Sequence, residues 1–161
     1  MNKAFALLVV ALLVAGCASD PKPPKADRLP DVTLSSLTGG AAVDLGKLRG
    51  PLVVNLWAQW CAPCKRELPI YQSFFAKHGT DVPVLGVDWQ DTQGDLARAL
   101  ASASGITYPL VVDGKPDIRN KLLPKLILVD ADGTIAYQEY VEITSLGQLE
   151  RLVEKHLGVT L

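Results

Sequence analysis

From residue 29 onward, short apolar runs alternate with longer amphipathic ones, and that alternation predicts a single α/β domain. Residues 32–34 read as a short strand. Gly39-Gly40 marks a turn, and residues 42–44 pair back as a hairpin. Leu52-Val53-Val54-Asn55-Leu56-Trp57-Ala58 is almost continuously apolar, the pattern of a strand covered on both faces. A helix is expected over 61–77, kinked at Pro69, which lacks a backbone donor. A strand over 82–87 and a helix over 93–102 follow, then a short strand at 110–112 and a brief helix over 117–122. Residues 125–129 form a strand, Asp132-Gly133 a hairpin turn, and 134–140 its partner. The last helix spans 145–157 and carries Leu146, Leu149, Leu152 and Val153 on one face. The expected architecture is a central mixed β-sheet flanked by helices in three layers.

The pattern before residue 29 differs. Lys3 precedes an uncharged apolar stretch over 4–15, shorter than the roughly 20 residues a spanning helix needs. It fits the apolar region of a secretory signal. Val14-Ala15-Gly16-Cys17 then resembles the lipobox of bacterial lipoproteins, in which the cysteine is lipidated and becomes the amino terminus. The alternative is ordinary cleavage near Ala18, which discards Cys17. Residues 18–28 interleave Pro21, Pro23 and Pro24 with charges and hold almost no apolar side chain, so they read as a tether. The organisation expected is a signal peptide over 1–16, a lipidated Cys17 with a Pro-rich tether over 17–28, and one folded domain over 29–161.

Composition narrows the function. The 161 residues are 48% apolar, enough for one core, and carry a formal net charge of −1. That balance offers no basic face for nucleic acid. No phosphate-binding Gly-rich loop, nucleotide fingerprint or Ser-His-Asp arrangement is present. Of three cysteines, Cys61 and Cys64 stand three positions apart in Trp57-Ala58-Gln59-Trp60-Cys61-Ala62-Pro63-Cys64-Lys65-Arg66-Glu67, after a buried strand and at the start of a helix. Cysteines at that spacing share a helix face and can close a disulfide. The unpaired N–H groups of the first turn favour a thiolate on Cys61, the attacking species. Cys64, one turn deeper, would resolve the mixed disulfide. Pro63 stiffens the first turn.

The segment resembles the active site of thioredoxin-fold proteins. It is most similar to the membrane-associated bacterial thiol–disulfide oxidoreductases that include the TlpA, ResA and cytochrome-c-maturation proteins. The pattern Asn-Leu-Trp-Ala-x-Trp-Cys-x-Pro-Cys, with a Glu three residues later, carries the resemblance. It implies a thioredoxin-like fold and exchange of disulfides with protein substrates through Cys61 and Cys64. No cofactor is implied beyond the dithiol, and the resemblance leans towards a reductant, cytochrome c maturation being one use. A membrane thiol transporter would supply the electrons to a monomer at the extracytoplasmic face of a bacterial membrane, or in the periplasm. Asn55 stands where thioredoxin has a buried aspartate. Glu67 matches an acidic residue of this branch and is expected to manage the Cys64 proton; the alternative is a solvated glutamate. Pro124 falls at the family's cis-proline loop, where the preceding Leu123 would offer backbone hydrogen bonds to a substrate strand. Trp60 is expected to cover one side of the disulfide. Lys125-Leu126 departs from the polar pair usual after that proline; Lys125 either adds positive potential near the site or faces solvent.

A metal site is the main rival, as in copper-delivery modules of this fold. Two cysteines supply half of a structural zinc set, and neither His78 nor His156 has ligand spacing. Phe74, Phe75 and Trp89 are assigned to packing, and Tyr108-Pro109 to no chemical role.

Overall fold

The computed structural model describes residues 27–161. The signal segment, Cys17 and the tether up to residue 26 lie outside the described residues. The chain forms strands β1 (Thr33–Ser36) and β2 (Val43–Asp44), a 3-10 turn (Leu45–Lys47), and β3 (Leu52–Trp57). Helix α1 (Ala62–His78), strand β4 (Val84–Trp89), helix α2 (Gly94–Ala103) and strand β5 (Leu110–Asp113) follow. Strands β6 (Lys125–Val129) and β7 (Ile135–Glu139) and helix α3 (Leu146–Leu157) complete it. The strands build one seven-stranded sheet in the order β2-β1-β5-β4-β3-β6-β7. β3, β4 and β5 run parallel at its centre; β1 and β6 pair antiparallel on either side.

Each central strand is buried on both faces, and the two faces belong to separate cores. Val53, Trp57, Leu126 and Leu128 face a core that takes Leu68, Tyr71 and Phe74 from α1, Ala97 and Ala101 from α2, and Leu149 and Val153 from α3. All three helices therefore cover the same face. Two successive crossovers, β3-α1-β4 and β4-α2-β5, step along the sheet in one direction, and right-handed connections then fall on one side. The opposite face, with Val54, Leu56, Val87, Trp89 and Ile127, is closed by Leu29, Leu34, Leu45 and Ile118.

Ile118 explains the main departure from the expected elements. The helix anticipated over 117–122 does not form. The Asp113 carboxylate instead accepts the N–H groups of Asp117 and Ile118 at 3.0 and 2.9 Å, and the Ile118 carbonyl accepts from Trp89 Nε1 at 3.0 Å. A side chain thus takes the donors that would open a helix, and Ile118 enters the core. The strand expected over 82–87 lies two residues later, because Val82 N–H still bonds to His78 O at the helix exit (2.8 Å) and Pro83 has no N–H. The shift brings Asp88 into β4. At the other end of the domain, Asp27 and Arg28 already belong to the folded unit. Asp27 O accepts from Ile135 N at 2.8 Å, and Arg28 bridges Thr134.

Candidate active site

β3 ends at Trp57, and Cys61 is the N-cap of α1. Its extended backbone (φ −83°, ψ 104°) and Sγ, which accepts the Cys64 N–H at 3.3 Å, are those of a capping residue. Pro63 lies in the first turn, where its missing donor costs nothing. Cys61 and Cys64 are joined as a disulfide with Cα atoms 5.3 Å apart. Cys64 is fully buried and Cys61 nearly so. Trp60, just before Cys61, is 53% exposed and stands on the surface beside the pair. The antiparallel register Leu56–Lys125 carries Pro124 to the level of Trp57, at the sheet end where α1 begins. The Leu123–Pro124 bond is cis.

Glu67 is completely buried, which overturns the alternative of a solvated glutamate. It lies one turn beyond Cys64 on the core face of α1. Its Oε2 accepts the Ile143 N–H at 2.9 Å, and its Oε1 is buried without a partner among the described residues. Burial pushes its carboxyl up to about 8, against the pull of the Ile143 N–H. The Tyr71 and Tyr108 hydroxyls, the Asn55 amide and Trp57 Nε1 are likewise buried without partners among the described residues. Burial, then the charge of Glu67, holds the Tyr71 hydroxyl well above its usual range. A Cβ on Gly86 would clash with Leu110 and press on Tyr108 and Trp57, so glycine is what lets these rings close over the strand. Tyr71 and Tyr108 were not anticipated; their hydroxyls point inward only because α1 and the 104–109 loop meet over β4.

Two acids also missed by sequence reasoning lie beneath the turn that carries Trp60, and Asp91 braces it. Asp91 Oδ2 accepts the Gln59 N–H at 3.0 Å, while its Oδ1 accepts the Gln93 N–H at 2.8 Å. Asp88, buried in β4 opposite Trp57, is pushed up to about 7 by burial and by the neighbouring Asp91 carboxylate. The only signal available was an aspartate pair at the carboxyl end of a buried strand, and the strand was read as ending before it.

Other groups lie apart from the pair. Arg66 is engaged by Glu142 at 2.7 and 2.9 Å. His78 Nε2 meets Glu150 Oε1 at 2.8 Å, and His156 stacks on Tyr137. Among the described residues no group of three or more His, Cys, Asp or Glu side chains could hold a metal. Lys125 does not face solvent, as one of its two readings had it; it is buried beside Tyr140.

A mixed sheet that delivers a Cys-x-x-Cys disulfide to the start of a helix, level with a cis-proline, defines a thiol–disulfide oxidoreductase of thioredoxin-like fold. The chain belongs to the AhpC/TSA family, whose profile matches residues 26–138. It is 26% identical over 118 residues to sporulation thiol-disulfide oxidoreductase A of Bacillus subtilis, covering 69% of this chain and 72% of that one. It is 33% identical over 147 residues to the thiol:disulfide interchange protein CycY of Rhizobium leguminosarum bv. viciae, covering 87% and 74%. Among solved structures, a DsbF homologue from Corynebacterium diphtheriae superposes with a TM-score of 0.69 at 22% identity, covering 84% and 90%.

Proposed function

We propose that the protein is an extracytoplasmic reductant of protein disulfides, held to a membrane by lipid on Cys17 and recharged by a membrane thiol donor. Substrates of the apocytochrome c kind fit this reading. The observation that carries it is the modest set of groups favouring a thiolate on Cys61. Its Sγ receives one backbone N–H and no side-chain donor among the described residues. The guanidinium of Arg66, on the same helix, is committed to Glu142. A helix N-terminus is worth about 0.3–1 kcal/mol to an anion, and at most about 2 kcal/mol where it is partly buried. The gap between a thioredoxin-like reductant and a strong oxidant is about 150 mV, or about 7 kcal/mol for a two-electron couple. Oxidants close that gap by stabilising the reduced form, and the surroundings of Cys61 supply only a fraction of it.

The reaction runs in two displacements. The Cys61 thiolate attacks one sulfur of the substrate disulfide, forming a mixed disulfide and expelling a substrate thiolate. The Cys64 thiol then loses its proton, with Glu67 as the acceptor in this reading, and attacks the Cys61 sulfur. The second substrate thiolate leaves, and Cys61–Cys64 is the oxidised product. Two electrons pass to the substrate, and a donor dithiol reverses the sequence on the enzyme. Pro124 and the backbone of Leu123 hold the substrate strand in register, and Trp60 and Pro63 shape the approach to Cys61. Thiol trapping of residues 27–161 in graded redox buffers tests the direction. A potential near or below about −250 mV is expected; one near about −120 mV makes the protein a disulfide donor.

A further inference from the structure

Lys125 is 6% exposed, and its ammonium is in no ion pair among the described residues. Its Nζ lies 5.1 Å from the centre of the Tyr140 ring. The stem of Lys125 is enclosed, and its ammonium is recorded only against the face of that ring. The side chain lines a cavity of about 300 Å³ on the sheet face away from the helices. A second cavity, of about 350 Å³, shares Arg119 with the first and is bordered by Tyr140, Lys121 and Gln90. Arg119 and Lys121 are its only charged lining residues, and neither forms an ion pair among the described residues. In the first cavity two acids counter the cations. Asp27 accepts from Gln138 at 2.8 Å, and Asp117 is exposed.

Both cavities reach the catalytic end of the sheet. Lys125 follows Pro124 directly and pairs with Leu56; Gln90 closes β4; Tyr140 follows β7 and accepts the Lys121 N–H through its hydroxyl at 3.3 Å. Three of the four large apolar side chains that stand exposed among the described residues, Trp60, Leu122 and Tyr140, ring this end. The surface therefore combines apolar contacts with Lys125, Arg119 and Lys121, none of them in an ion pair among the described residues, the first recessed one residue from the cis-proline. Gln90, with φ of 52°, holds a left-handed conformation at its border. Such backbone is uncommon for a residue other than glycine and recurs at ligand-binding edges.

We propose that this groove selects substrate polypeptides with an acidic side chain beside the reactive cysteine, the carboxylate pairing with Lys125 while Arg119 and Lys121 flank it. The inference rests on the oxidoreductase reading and gives that site a substrate class. A close, desolvated charge pair can contribute several kcal/mol at an interface, whereas an exposed one contributes little. The recess around Lys125 shields the pair from solvent more than an open surface would.

The test compares two disulfide-bonded peptides, identical but for Glu or Gln flanking the cysteine, as substrates of the reduced protein. Wild type is expected to favour the acidic peptide in kcat/KM by about tenfold or more. Lys125→Met should bring the ratio close to one, Lys125→Arg should keep most of it, and Lys155→Gln, an exposed charge on α3, should leave it intact. A ratio near one in the wild type, with both peptides reduced, overturns the acidic preference and leaves the oxidoreductase standing. Equal losses in Lys125→Met and Lys155→Gln also overturn it, since net charge would then explain the preference. If neither peptide nor neutral hydroxyethyl disulfide is reduced, both readings fall. Thermal stabilisation by millimolar acetate in wild type but not in Lys125→Met, without peptide preference, assigns the cavity to a small anion and sinks the proposal.

Discussion

Glu67 shows what burial does to one residue's chemistry. In water its carboxyl would be ionised at neutral pH and useless as a proton donor. Inside α1 it titrates near 8, so both protonation states are accessible where the enzyme works. In the proposed reaction Cys64 must lose a proton to resolve the mixed disulfide, and only the ionised form of Glu67 could take it. That fraction grows as pH rises through about 8. The wild-type turnover should therefore gain an inflection there, and Glu67→Gln should lose it and fall by about tenfold or more above it. Stopped-flow reduction across pH 6 to 10 reads this directly; identical profiles would remove Glu67 from the proton path. The position was legible because Glu67 follows Cys64 at helical spacing. Its burial was not, because it depends on Ile143, 76 residues away, donating across to α1.

Among the elements, the apolar strands declared themselves most fully. β6 was read to the residue, since an unbroken Leu-Ile-Leu-Val run admits few registers. The hairpin of β1 and β2 followed from its Gly-Gly turn. The segment over 117–122 misled because its local pattern is helical enough, while the decisive partner, the Asp113 carboxylate, belongs to the preceding strand. β4 carries a similar lesson with a functional edge. Its last residues deliver Asp88, and Asp91 follows, under the active-site turn. Asp88 titrates near 7 folded against 3.8 in the ordinary state, so between those values the native state holds a proton that the unfolded chain has released. Stability contributed by this group is full below pH 3.8, is lost as pH rises to about 7, and is level above. Asp88→Asn removes the repulsion with Asp91 and supplies a permanent donor. It should gain roughly 2 kcal/mol at pH 8, less at pH 5, after allowing for solvent screening. Urea unfolding at the two pH values measures this, and an equal effect at both would mean that Asp88 does not titrate in that range.

At the scale of the whole molecule, the sheet sets the point where the chain enters the domain apart from the disulfide. β3 runs towards Cys61, β6 returns antiparallel, and β7 runs out again, so the start of β7 lies at the end of the sheet opposite the disulfide. Arg28 joins the domain there, against Thr134, with its guanidinium on Asp132. The catalytic end lies away from this entry point, and the contacts described for Cys61 and Cys64 come from the folded domain alone. Cys17→Ser should therefore move the full-length protein from the membrane fraction to the soluble one while leaving the potential of the Cys61–Cys64 couple unchanged within about 10 mV, a shift of under about 0.5 kcal/mol. Retention of the variant in membranes would show that something other than lipid on Cys17 holds it. A shifted potential would show that the amino-terminal segment touches the disulfide after all.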